Sequence, residues 1–189
     1  MRYGIAVIII ALFAVLGVVL LVNRNNDTPD GTPTTQTVTL SESDTVPSAL
    51  VSWTQQGRIV GNNQFSSIRV TVTPTYRRIE ILNGYENQVL RSTDYENNQE
   101  AYNTFTRALD LMKFGRSRTV SNPDVQGVCP FGNRFLYVFN ANSQQLVNTW
   151  SDTCSNSNGT YAGGNAVSTA QLFRNQIPDY GRQTSGVSL

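Results

Sequence analysis

The 189-residue sequence contains no histidine. That absence removes the commonest metal ligand and the commonest general base near neutral pH, so Ser-His-Asp catalysis, Cys-His catalysis and imidazole zinc sites are all excluded. Cysteine is limited to two residues, too few for a structural zinc cluster. Lys113 is the only lysine, and the formal charge of +1 gives no global attraction to nucleic acid or acidic membranes. No G-x-x-x-x-G-K-S/T or G-x-G-x-x-G stretch is present, so nothing points to a nucleotide site. No cofactor, metal or nucleic acid partner is expected.

What the sequence does have begins with Tyr3 to Val22, an uncharged apolar run flanked by Arg2 and Arg24. At about 1.5 Å of rise per residue, a helix of this length is about 30 Å long, the thickness of a hydrocarbon core. A signal peptide has a shorter apolar core followed by small residues, whereas this run exits through Leu20-Leu21-Val22-Asn23-Arg24. A retained signal-anchor over residues 1–23 is therefore expected, with membrane lipid as the partner of residues 3–22. Basic residues lie on both sides of the run, Arg2 before it and Arg24 after it, so orientation follows from the very short head, easily left in the cytoplasm, and from the cysteine pair, which suits a C-terminal domain outside. The plan resembles that of small bitopic envelope proteins, single-pass in the cell membrane.

Residues 24–45 are polar and Thr/Pro-rich, and read as a flexible linker. Residues 46–180 are long enough for one domain with a sizeable core, and residues 181–189 read as a mobile tail. Within the domain, Ala49 to Gln55 suits a first strand. Ile68, Val70 and Val72 alternate with polar residues, as does Arg77 to Leu82. Asn83-Gly84 signals a hairpin into Tyr85 to Arg91. A three-residue loop there places Glu80 opposite Glu86, whereas a two-residue loop puts them on opposite faces. Thr93 and Glu96 have capping-box spacing ahead of a helix running to about Phe114, with Gly115 as its stop and Tyr102, Phe105, Leu109 and Met112 as its apolar stripe. Lys113, Arg116 and Arg118 gather at the helix end, where they suit the macrodipole and form a candidate contact for an anionic polymer or an envelope protein.

Cys129 precedes an aromatic strand, Asn133 to Phe139, and Cys154 follows the returning strand, Leu146 to Thr153. A turn centred on Ala141-Asn142 sets Tyr137 against Leu146 and Cys129 against Cys154, so a disulfide is expected. Asn165 caps a last helix, Ala166 to Gln176, whose Ala170 and Phe173, with Ile177 beyond it, face inward.

This element order argues for an α+β fold, a mostly antiparallel sheet carrying one main helix and a disulfide-closed hairpin. The function class that fits is a membrane-anchored extracytoplasmic envelope module with a non-catalytic binding or structural role. Two other classes carry distinct marks. An accessory or inhibitory subunit of another membrane protein would show a rigid protruding loop. A carboxylate-dependent envelope hydrolase would gather several carboxylates in a deep pocket.

Overall fold

A computed structural model of the chain describes residues 34–43, 45–154 and 159–189. The apolar run 3–22 lies outside them, and no helix among the described residues is long and apolar enough to cross a membrane. The fold is α+β. Eight strands are described: β1 (Thr35–Thr37), β2 (Leu50–Gln56), β3 (Ser66–Val72), β4 (Tyr76–Asn83), β5 (Gln88–Glu96), β6 (Arg116–Arg118), β7 (Arg134–Ala141) and β8 (Gln144–Asp152). The helices are α1 (Gln99–Leu111), α2 (Ala166–Arg174) and the short α3 (Tyr180–Gln183).

Six strands form one antiparallel sheet in the order β5-β4-β3-β2-β7-β8. Strands β2 to β5 are a meander running out to one edge. The chain then crosses through α1 and β6, and the β7–β8 hairpin adds to the free side of β2. Residues paired across antiparallel strands share a face. Ile79, Val70, Trp53, Tyr137 and Thr149 therefore make one transverse row, and α1 and α2 close over it. Phe173 of α2 is the centre of this packing: its ring lies 6.2 Å from Trp53, 5.2 Å from Phe105 of α1 and 5.8 Å from Phe114. Burial of the Tyr137 and Tyr161 hydroxyls raises both above the ordinary tyrosine range, and each is hydrogen-bonded, to Ser151 and Thr169 respectively.

The fold takes up chain on both sides of residues 46–180. Thr35–Thr37 pairs with Arg116–Arg118, and Leu40 is fully buried in the core. The Asp110 carboxylate accepts from the Leu40 and Ser41 amides at 2.8 and 3.0 Å, fixing the chain where it enters the core. Gly115 permits this docking, because a Cβ there would sit 1.9 Å from the Val38 carbonyl oxygen. At the other end, Val187 and Leu189 pack against the core, and Gln183 bonds with Arg91, Thr93 and Tyr95 of β5.

Three local expectations give way to longer-range pairing. The first is the start of the main helix, which is capped by Asn98, whose side chain accepts from the Ala101 amide at 2.9 Å, while Thr93 and Glu96 belong to β5. At its other end Lys113, with φ 55°, adopts the left-handed conformation that Gly115 was expected to supply. The Phe114 amide returns to Leu109 and the Lys113 amide to Asp110, which completes a Schellman motif. Of the expected stripe, Tyr102, Phe105 and Leu109 are buried and Met112 only partly.

The second difference is the β4–β5 connection, a four-residue turn, Gly84 to Asn87, with positive φ at both ends. Glu80 consequently faces Ser92 and lies 3.6 Å from Arg69, while Glu86 sits in the turn. The expected carboxylate pair does not form. The third is the β7–β8 register. The turn is Asn142-Ser143, both at positive φ, so Tyr137 faces Thr149 and not Leu146. Both outer hairpins carry a register shift, which leaves Leu90 and Leu146 as extra residues on the edge strands. Bulges of this kind twist an edge away from further strand pairing.

Candidate functional site: a buried arginine at one end of the sheet

The same pairings define a second row, on the sheet face turned away from the helices. It runs Asp152, Arg134, Gln56, Ser67, Leu82, Val89 across all six strands. Three loops rise over the end of the sheet beside it: residues 57–65, the Gly84–Asn87 turn and the segment leading to Cys129. They are cross-linked. Gly84 donates to Phe65, Tyr85 donates its hydroxyl proton to the Val60 carbonyl at 2.8 Å, and Ile59 donates to Pro130. Asn62 receives the Tyr85 amide at 2.8 Å, and a Cβ at Gly84 would approach the same Asn62 oxygen to 2.9 Å.

The cysteines brace this end. Cys129 and Cys154 are bonded, with Cα atoms 5.7 Å apart. The pairing is the expected one although the hairpin register is not. Cys129 lies ahead of β7 and reaches Cys154 through a turn in which Gly132 donates to Cys129, so residues 129–133 absorb the shift. Asp152 comes close enough to both sulfurs that the three side chains have metal-ligand spacing, but the disulfide withdraws both thiolates.

Between the loops and the row lies a cleft of about 430 Å³, lined by Gln56, Ile59, Phe65, Tyr85, Val125, Gln126, Gly127 and Arg134. One wall is aromatic, with the Phe65 and Tyr85 rings stacked at 4.2 Å. Arg134 is only 3% exposed. Its Nη2 donates to the Gly57 carbonyl at 2.6 Å, and its guanidinium carbon lies 5.6 Å from the Phe65 ring centre. Burial holds its pKa below the usual arginine value, with Tyr85 acting weakly the other way.

What Arg134 lacks is a counter-ion. Among the described residues no carboxylate oxygen lies within 4.0 Å of it. Asp152, its cross-strand neighbour, instead accepts from the Cys154 amide at 2.8 Å. The Arg134 Nε, the Ser67 Oγ and the Asp152 Oδ2 are all buried without a hydrogen-bond partner, and all three belong to this one row. Buried polar groups are nearly always satisfied, by protein, water or ligand, and of these three residues Arg134 lines the cleft, so its unsatisfied Nε marks a place where a polar ligand would be held.

The basic residues at the end of α1 form a different surface. Lys113 and Arg118 are exposed and Arg116 is half-buried. The Arg118 Nε already donates to the Gly159 carbonyl at 2.8 Å, whereas Lys113 and Arg116 make no side-chain hydrogen bond among the described residues. The groove between α1 and α2, lined by Glu100, Ala101, Phe105 and Leu172 among others, is of similar volume to the Arg134 cleft but is lined by no cation. Sequence patterning had no means of singling out Arg134: it opens an aromatic strand like any solvent-facing arginine, and its burial comes from the loops that meet at this end of the sheet. No protein family, no curated protein and no solved structure matches this chain.

Proposed function

We propose that the chain is a membrane-anchored extracytoplasmic module that works by binding, without catalysis, and receives its partner at the Arg134 cleft. The observation that carries this reading is a buried guanidinium without a counter-ion, placed at the rim of a cleft with an aromatic wall. Breaking or omitting the partner of a buried charge is costly, so an unpaired one suits a site completed by another molecule. The apolar run Tyr3–Val22 would hold the module at the cell membrane, and the disulfide fits a compartment outside the cytoplasm. A carboxylate-dependent hydrolase finds less support, because Glu80 is engaged with Arg69 and faces no second carboxylate.

A specific feature favours the second class, an accessory or inhibitory subunit. Phe131 stands 89% exposed in the loop that the disulfide closes. A braced loop presenting an aromatic side chain is a suitable anchor for a protein surface. The basic set Lys113, Arg116 and Arg118 would then be a separate contact for an anionic polymer.

The test is replacement in the organism that makes the protein. Arg134→Met should reproduce the envelope phenotype of the deletion, and Glu80→Gln should behave as wild type, with each variant recovered in the carbonate-washed membrane pellet. Turnover of an envelope glycan by the purified chain, abolished by Glu80→Gln, would contradict the binding reading.

A further inference from the structure

We infer that the Arg134 cleft takes a carboxylate carried on a flat or apolar body about the size of one or two amino-acid residues. This rests on the binding reading above and names its ligand class. The anion follows from the buried guanidinium, which makes no ion pair among the described residues, its cross-strand neighbour Asp152 holding the Cys154 amide through Oδ1 instead. A single negative charge is indicated, because Arg134 is the only cation lining the cleft and one of its nitrogens is already held by Gly57. A phosphate dianion would need more donors than one partly engaged guanidinium offers. The flat body follows from the Phe65–Tyr85 wall, and the size from the volume of about 430 Å³. Tyr85 is 46% exposed, so a ligand stacked on it reaches solvent at its far end, which permits either a free acid or the C-terminus of a longer peptide.

The probe is N-acetyl-phenylalanine, titrated into the purified full-length chain in detergent and compared with its carboxamide and with inorganic phosphate. The acid should bind saturably, and the carboxamide roughly tenfold or more weakly, the usual scale for losing a hydrogen bond to a charged group. Phosphate should not compete. Arg134→Met should abolish binding of the acid while the free protein keeps its stability or gains some, since a buried unpaired charge is replaced by an apolar chain of similar length. Tyr85→Ala, at a half-exposed position, should weaken binding without unfolding the domain and serves if Arg134→Met fails to fold. A peptide ending in phenylalanine with a free carboxylate, set against its amidated form, distinguishes the sources: tighter binding than the small acid indicates a chain terminus, and equal binding a free acid. Equal affinity for acid and carboxamide, no saturable binding of either, or undiminished binding in Arg134→Met would overturn the carboxylate assignment. If that happened while Arg134→Met still lost the envelope phenotype, the binding reading would stand with another ligand class.

Discussion

Phe173→Ala is expected to destabilise the domain by about 4 kcal/mol, the usual cost of emptying a large aromatic site in a core that cannot collapse. Phe173 is fully buried and contacts rings from β2, from α1 and from the residue beyond α1, so no neighbouring side chain can move in without losing its own packing. Against the 5–15 kcal/mol or so typical of a domain, such a loss leaves a protein close to its unfolding threshold. Urea denaturation of the purified chain measures it. Val167→Ala on the same helix is the internal control: Val167 is exposed, and its loss should be within about 0.5 kcal/mol. Equal effects at the two positions would mean that α2 does not bury the face described.

Removing the disulfide comes next in size. Closing a loop with a sequence separation of 25 contributes about 3.5 kcal/mol in the chain-entropy model. For a domain of this length that corresponds to roughly 10 °C in Tm. The double variant Cys129→Ala/Cys154→Ala and the reduced wild-type chain should therefore melt together, both below the oxidised form. The disulfide also braces the loop whose Pro130 carbonyl receives the Ile59 amide, so the cleft loops should be the first to gain hydrogen exchange. A reduced chain as stable as the oxidised one would show that the bond constrains nothing.

How much of this was legible in the sequence depended on the range of the interaction. Alternation in Ile68-Arg69-Val70-Thr71-Val72 located β3, because a strand with one apolar face declares itself every second residue, even though Ser67 and Thr71 on its other face are buried as well. Asn165, Ala170, Phe173 and Ile177 located α2 and its inward face for the same local reason. The cysteine bond was legible because two cysteines permit one pairing. Turn geometry was less so. Asn142-Ser143 and the Gly84–Asn87 turn were chosen by which residues tolerate positive φ, and several neighbouring asparagines and glycines competed for those positions.

The docked segments on either side of the domain were illegible for a different reason. Thr35-Gln36-Thr37 is polar and exposed, and it becomes a strand only because Arg116–Arg118 presents an edge and Gly115 leaves room for Val38. The Arg134 site belongs to this class as well. Its components come from β2, the β2–β3 loop, the β4–β5 turn, the 120s loop and β7, and each looks ordinary in its own stretch of sequence.

On this reading the molecule receives its ligand at this end of the sheet and not at the basic end of α1. Backbone amide chemical-shift mapping on the labelled full-length chain, with N-acetyl-phenylalanine added, tests it directly. Saturable shifts confined to residues 56–66, 84–87, 125–127 and 134 are expected. Shifts centred on Lys113, Arg116 and Arg118, or none at saturating acid, would contradict it.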